Sequence, residues 1–293
     1  MASRIIDLHM HSKASDGTDS PAELAGRAAA AGLAAFALTD HDTLAGVDEA
    51  GEQARRLGIE FVPGIEIAVA DPCGELHILG LFMPPPSTAM RAALDGFRRN
   101  RRERNLAILD RLAQLGMALD LEEVRALSRT GAKALGRPHI ALALREKGCV
   151  HTIKEAFERY LGYGAAAYVP RRLLGPEEGI GLLAREGAIV ALAHPCLEDS
   201  MTPERLDNLL AAFKGYGLNA LEAYHSAHDH KQTRLCVELA ARHGLLLTGG
   251  SDYHGANKPG IAPGRGAGSL RVPYLLLEKM RAAAEERKKL RGR

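Results

Sequence analysis

Short apolar runs, each closed by a cluster of His, Asp or Glu, recur along this chain and alternate with stretches of helical period. The opening run Ile5-Ile6-Asp7-Leu8-His9-Met10-His11 predicts a strand with Ile6, Leu8 and Met10 on one face and Asp7, His9 and His11 on the other. Ser20-Pro21-Ala22-Glu23 supplies a cap, a helix-starting proline and a capping acid, so a helix begins there and ends near Gly32. Residues 34–38 predict a second strand running into Thr39-Asp40-His41-Asp42, a helix covers about 44–57, and a third strand at 59–62 leads to Pro63-Gly64-Ile65-Glu66. The turn residues Asp71-Pro72-Cys73-Gly74 predict a hairpin with His77 on its returning strand.

After Pro84-Pro85-Pro86 the pattern becomes helical and Arg-rich, with segments expected near 88–115, 121–128, 137–147 and 152–161. The strand and helix rhythm then returns: strands at 188–193, 218–223 and 245–248 end in His194-Pro195, Tyr224-His225 and Ser251-Asp252-Tyr253-His254, separated by helices near 203–214 and 229–243. Parallel neighbours need a crossover that is usually helical, so the pattern implies a parallel α/β barrel of roughly seven strands. The expected division is a barrel of residues 1–84 and 165–293, with residues 85–164 an inserted helical subdomain covering the active site.

Composition narrows the classes. With 293 residues and 46% hydrophobic content the chain is long enough for a large barrel. The formal net charge of +2 argues against a stable nucleic-acid complex. The basic runs Arg98-Arg99-Asn100-Arg101-Arg102 and Arg287-Lys288-Lys289-Leu290-Arg291 read as a solvated helix face and a frayed tail. Cys73, Cys149, Cys196 and Cys236 have no paired spacing, so neither a disulfide framework nor a thiolate zinc site is expected, and a cytoplasmic location fits. Charged residues interrupt the place where a signal segment would need its apolar stretch, and no uncharged apolar run reaches membrane-spanning length.

His9 and His11 leave one face of a strand about 6.6 Å apart along the backbone, a gap two imidazoles can close onto one cation. In a barrel of this kind the active site lies at the carboxyl ends of the strands, where His9, His11, Asp40, His41, Glu66, His194, His225, Asp252 and His254 all fall. Imidazoles mixed with carboxylates and no thiolate suit Mn, Zn or Fe, and their number suggests two or three ions with a bridging carboxylate such as Glu66. Metal-activated hydroxide then makes a serine or cysteine nucleophile unnecessary.

His9-Met10-His11, Ser15-Asp16-Gly17, Leu38-Thr39-Asp40-His41-Asp42, Gly64-Ile65-Glu66, His77, Ala193-His194-Pro195 and Ser251-Asp252-Tyr253-His254 together resemble the PHP superfamily of polymerase-associated and histidinol-phosphate phosphohydrolases. The resemblance implies a distorted (β/α)7 barrel with a trinuclear centre. It assigns His9, His11, Glu66 and Asp252 to one metal, Asp16, His41 and His254 to a second, and Glu66, His77 and His194 to a third. Gly136-Arg137-Pro138-His139, Ala167-Tyr168-Val169-Pro170-Arg171 and Asp252-Tyr253-His254-Gly255 are most similar to the bacterial 3',5'-nucleoside bisphosphate phosphatases, relatives of which trim short RNA from the 5' end. That likeness implies an Mn2+-dependent phosphomonoesterase converting adenosine 3',5'-bisphosphate to AMP. A 5'-3' exoribonuclease, a histidinol-phosphate-type phosphatase and a non-enzymatic module are the alternatives.

A bisphosphate needs a second anion site, for which the planar fork of Arg is suited. Arg137 and Arg171, at the edges of the insertion, are weighed between holding the retained phosphate and bridging the two parts as ion pairs. His194 and His225 are the catalytic candidates, and His139 and His228 join the arginines as substrate-binding candidates. Lys258 reads as a solvated loop lysine, and His151, His230 and His243 as structural or surface residues. The expected partners are a small nucleotide and short RNA, with no membrane.

Overall fold

The computed structural model describes residues 4–128, 135–197 and 200–291, so positions 129–134 of the expected insertion lie outside the described residues. Strands Ile5–Asp7 (β1), Ala35–Leu38 (β2), Glu60–Asp71 (β3), Gly74–Leu81 (β4), Ile189–Leu192 (β5), Ala220–His225 (β6), Leu246–Gly250 (β7) and Val272–Pro273 (β8) form one sheet in the order β7-β6-β5-β4-β3-β2-β1-β8. Beyond β1 the amide of Leu8 donates to the carbonyl of Gly249 at 3.0 Å and the amide of Asp252 to that of His9 at 2.8 Å, which nearly closes the sheet into a barrel.

Every residue of β2 and of β5 is buried, as expected for strands covered on both faces, which is why they read as unbroken apolar runs. The described residues form eight strands rather than the roughly seven expected, and the expected hairpin interrupts the parallel run. β4 lies antiparallel to both β3 and β5, because the Pro72-Cys73 turn joins β3 to β4 without a crossover. The two-residue β8, antiparallel to β1, is too short to leave an alternation in the sequence.

Helices Pro21–Ala30 (α1), Val47–Leu57 (α2), Thr88–Gln114 (α3), Leu121–Ser128 (α4), Arg137–Glu146 (α5), Ile153–Ala156 (α6), Pro176–Glu186 (α7), Pro203–Tyr216 (α8), His230–His243 (α9) and Tyr274–Arg291 (α10) follow the sequence signals closely. Ser20 and Glu23 form a reciprocal capping box at α1, and Thr202 and Asp229 accept amide hydrogen bonds at the starts of α8 and α9. Two expectations change. The segment at 152–161 is a single α turn that continues as a π-helical turn over Phe157–Leu161. The basic run at 287–291 belongs to α10, whose Leu276, Leu277 and Met280 pack with Ile6 and Val272.

Helix α3 belongs to two hydrophobic clusters. Its Met90 and Phe97 pack with barrel residues such as Ile65, Ile180 and Leu183, whereas its Ile108 and Leu112 pack with Val124, Ile140 and Leu144 of α4 and α5. At about 40 Å, a helix of this length can carry the second cluster out over the barrel mouth. No helix among the described residues is long and apolar enough to cross a membrane. The cysteines, scattered in sequence, are not all scattered in space: Cys196 Sγ lies 3.7 Å from Cys236 Sγ, with all four thiols free.

Candidate metal centre

The strand ends bring His9, His11, Asp16, His41, Glu66, His77, His194, Asp252 and His254 together at the barrel mouth. Glu66 is the hub. Its Oε1 lies 2.9 Å from His77 Nδ1, 3.2 Å from His194 Nε2 and 3.4 Å from His9 Nε2, while its Oε2 lies 3.0 Å from His41 Nδ1 and 3.3 Å from His11 Nε2. Asp252 Oδ1 lies 3.4 Å from His11 Nε2 and 3.3 Å from His254 Nδ1, and Asp16 Oδ1 lies 3.3 Å from His254 Nε2. Four overlapping groups could each hold an ion: His11, Asp16, His41 and His254; His9, His11 and Asp252; His9, Glu66 and His194; and His41, Glu66 and His77.

Local backbone serves these positions. Among the described residues, His194 (φ 25°) and Asp252 (φ 54°) are two of the four non-glycine positions with positive φ, a costly conformation concentrated at functional sites. Gly250 is required by a close approach: a Cβ there would sit 2.3 Å from His9 Cβ and 2.4 Å from His9 N.

The residues fit a cation. His9 Nε2, both ring nitrogens of His11, Glu66 Oε2 and His77 Nδ1 are buried without a hydrogen-bond partner, an expensive state unless a ligand fills it. A donor set of nitrogen and oxygen without sulfur suits borderline-to-hard divalent ions. The electrostatics agree. Burial alone would raise the Glu66, Asp252 and Asp16 carboxyls, but the surrounding histidines hold all three well below the usual range. Burial opposes charge on His77 as well, yet Glu66 and Glu75 outweigh it and push the ring up to about 10. His11 and His194 go the other way: burial, joined by neighbouring imidazoles, brings them down to about 3 and about 4.

One organising group, Glu222, escaped the sequence reading, while Asp7 and Asp40, which it placed beside the clustered histidines, prove to support the cluster rather than join it. Glu222, wholly buried on β6, receives His9 Nδ1 at 3.1 Å and the His194 amide at 2.8 Å, so it orients two of the clustered histidines at once. A carboxylate on one ring nitrogen, leaving the other aimed at the centre, is the usual support of a metal-binding histidine. Asp7 accepts from the amides of Ser251 (2.9 Å) and Gly264 (2.7 Å) and fastens the last strand loop to the first strand; burial pushes its carboxyl up to about 6. Asp40 turns away from the cluster and accepts from the Ser12 amide, the Ser12 hydroxyl and the Ser15 hydroxyl, shaping the loop that carries Asp16. The only advance signal was an acid inside an otherwise apolar strand.

The remaining candidates lie around this hub. His225 accepts the Ala227 amide at Nδ1 (3.2 Å), which leaves its proton on Nε2, 3.5 Å from Asp252 Oδ2. His228 faces His225 with ring centres 5.3 Å apart and bonds the Ala223 carbonyl through Nδ1 (3.0 Å). His139 is buried, accepts the Gly136 amide at Nδ1 (3.1 Å) and leaves Nε2 without a partner. Arg171 and Arg101 both bond Asp42, and Arg137 lies 3.5 Å from Glu75, so Arg101 and Arg137 tie the helical segment to the barrel by ion pairs while Arg171 pairs within the barrel. Lys258 is not simply solvated, since it pairs with Asp252. Beside the cluster lies a cavity of about 370 Å³ whose outer wall includes Pro138, Ile153 and Phe157 of the helical segment.

The PHP domain profile matches residues 7–169. The chain is 32% identical over 267 residues to the 3',5'-nucleoside bisphosphate phosphatase of Chromobacterium violaceum, covering 89% of this chain and 88% of that one. It is 35% identical over 248 residues to a 5'-3' exoribonuclease of Haemophilus influenzae, covering 85% and 89%. It is also 35% identical over 260 residues to the phosphoribosyl 1,2-cyclic phosphate 1,2-diphosphodiesterase of Eggerthella lenta, covering 86% and 94%. A Bifidobacterium adolescentis crystal structure described as a metal-dependent phosphoesterase superposes with a TM-score of 0.83 at 31% identity, over 94% of this chain and 95% of that one. The chain belongs to the PHP domain family and is a phosphoesterase.

Proposed function

We propose that this phosphoesterase removes the 3'-phosphate of 3',5'-nucleoside bisphosphates, converting adenosine 3',5'-bisphosphate to AMP and phosphate with Mn2+ as its metal. The observation that carries the reading is the convergence of five imidazoles on Glu66 beside a cavity lined by Glu75, the carboxylate that Arg137 approaches to 3.5 Å. The Chromobacterium violaceum relative adds the substrate class. In this reading His9, His11, Glu66 and Asp252 would hold one ion, Asp16, His41 and His254 a second, and Glu66, His77 and His194 a third, a partition taken from the family resemblance, which divides the four overlapping groups differently. Bound divalent ions lower the pKa of water and offset charge on phosphoryl oxygens.

The protein's own groups do the rest. Glu222 holds the His9 ring so that Nε2 faces the centre, and fixes the start of the His194 turn through its amide. His225 carries its proton on Nε2 and serves as the donor to the leaving 3'-oxygen. Arg171 and Arg137 exchange their carboxylate partners for the retained 5'-phosphate, whose oxygens accept paired hydrogen bonds from the guanidinium forks. His139, next in sequence to the cavity residue Pro138, and His228, whose ring faces His225, are the further polar contacts assigned to substrate.

Turnover by the Mn-loaded protein, followed as substrate consumed and products separated by chromatography, should be faster on adenosine 3',5'-bisphosphate than on a 5'-phosphorylated oligoribonucleotide or a ribosyl 1,2-cyclic phosphate. A fully loaded protein that leaves the bisphosphate intact sinks the reading. The exoribonuclease reading is favoured by the Haemophilus influenzae relative and by Phe157 in the cavity wall, an aromatic face on which a base can stack. Faster turnover of the oligonucleotide would select it.

A further inference from the structure

Two residues beyond His194, the chain makes a tight turn in which the Leu197 amide donates to the His194 carbonyl at 3.2 Å. Cys196, half-buried on this turn, points at Cys236 of α9, wholly buried, with the two sulfurs 3.7 Å apart. The turn is already clipped to the same helix, because Gln232, one helical turn before Cys236, donates through Nε2 to the Cys196 carbonyl at 3.2 Å. From outside, Cys196 is reached through a shallow surface hollow lined by Met201 before α8, by Pro203 at its start and by Lys231 and Leu235 of α9. Small solutes therefore meet Cys196 first, with Cys236 directly behind it.

A disulfide needs its sulfurs at about 2.05 Å and its β-carbons at about 3.8 Å. Side-chain rotation supplies part of that closure, and the remainder must come from the turn, since Cys236 sits in the packed face of α9 with Leu239 and Ala240. The turn has little slack at its other end: His194 stands at φ 25° with its amide held by Glu222 at 2.8 Å.

We propose that Cys196 and Cys236 form a redox modification site, oxidised by small hydroperoxides to a disulfide that draws the His194 turn towards α9 and weakens metal binding at the barrel mouth. In the first step the Cys196 sulfur attacks one peroxide oxygen, the O–O bond breaks, and the sulfur becomes a sulfenic acid as water leaves. In the second, the Cys236 sulfur attacks the sulfenic sulfur, the S–O bond breaks, and a second water carries away the hydroxyl and the Cys236 proton. Two thiols and one hydroperoxide give one disulfide and two waters, or water and an alcohol from an organic peroxide. A dithiol reductant reverses the change.

The test uses the full chain carrying Cys73→Ser and Cys149→Ser, so that only this pair can react. After hydrogen peroxide treatment, mass spectrometry should show the loss of two hydrogens and a cross-linked peptide pair joining Cys196 to Cys236. Titration with Mn2+ should then show affinity about tenfold weaker, restored by dithiothreitol. Cys236→Ser should fold, bind Mn2+ as the reduced protein does, and lose peroxide sensitivity of its metal affinity. Oxidation that stops at a sulfinic acid on Cys196 without the cross-link overturns the proposal, as does a cross-linked protein whose Mn2+ affinity is unchanged.

Discussion

His9 Nδ1 lies 3.1 Å from Oε1 of Glu222, a carboxylate 213 residues away in sequence and wholly buried on β6. The contact fixes which nitrogen of His9 faces the centre. Glu222→Gln keeps the shape and removes the charge, and should weaken Mn2+ binding by about 10- to 100-fold with little change in the circular dichroism spectrum. Undiminished affinity in a metal titration would remove Glu222 from the site's support.

Metal-free and metal-loaded protein should respond oppositely to alkali. Glu66 and Glu75 raise His77 to about 10 against an unfolded value near 6.5, after overcoming burial. A raised histidine stabilises the fold fully below the unfolded value, and that contribution is lost as pH climbs through the folded one. Asp7 and Asp40, lifted to about 6 by burial, have finished titrating below this window. The Tm of chelator-treated protein should therefore fall between pH 6.5 and 10, while the Mn-loaded protein, from which the metals have already expelled those protons, should hold its Tm. Parallel Tm curves would contradict this.

Gly250→Ala should disable the centre without replacing any clustered side chain. Its methyl group would meet His9 Cβ at 2.3 Å, so β7 or the His9 backbone must shift, at a cost of about 1 to 3 kcal/mol. Metal content by elemental analysis should drop. A variant that binds metal and melts like the parent would show that the barrel seam yields freely.

Arg171→Ala should raise KM for adenosine 3',5'-bisphosphate by about tenfold or more, the worth of a charged hydrogen-bonded pair. The rise should be much smaller for a 3'-phosphate lacking the 5'-group. Equal effects on both substrates would leave Arg171 only its ion pair with Asp42.

Much of this architecture was legible because barrel strands write their chemistry at their ends. An apolar run such as Ile189–Leu192, followed by His194, announces both a strand and a residue at the mouth. What escaped depended on distance in sequence. Glu222 looks like an ordinary polar position of β6 until His9, 213 positions away, is laid against it. β8 is two residues long and has no period to read. The Cys196 and Cys236 thiols, forty positions apart, meet only because α9 packs beside the turn after β5.

The seam between β1 and β7 also orders events in time. His9 and His11 leave the ribosome early, yet the His9 carbonyl waits for the Asp252 amide and the His11 amide for the Tyr253 carbonyl, each bonded at 2.8 to 2.9 Å. Local pairing of β1 with β2 can form during synthesis, whereas the grouping of His9 and His11 with Asp252 cannot. A chain arrested before residue 252 keeps the groups built on Glu66 but lacks the one that joins His9 and His11 to Asp252, so it should retain less metal than the finished chain in a pull-down of stalled complexes. The full centre is thus assembled late in translation, when the last strand loop reaches the first strand.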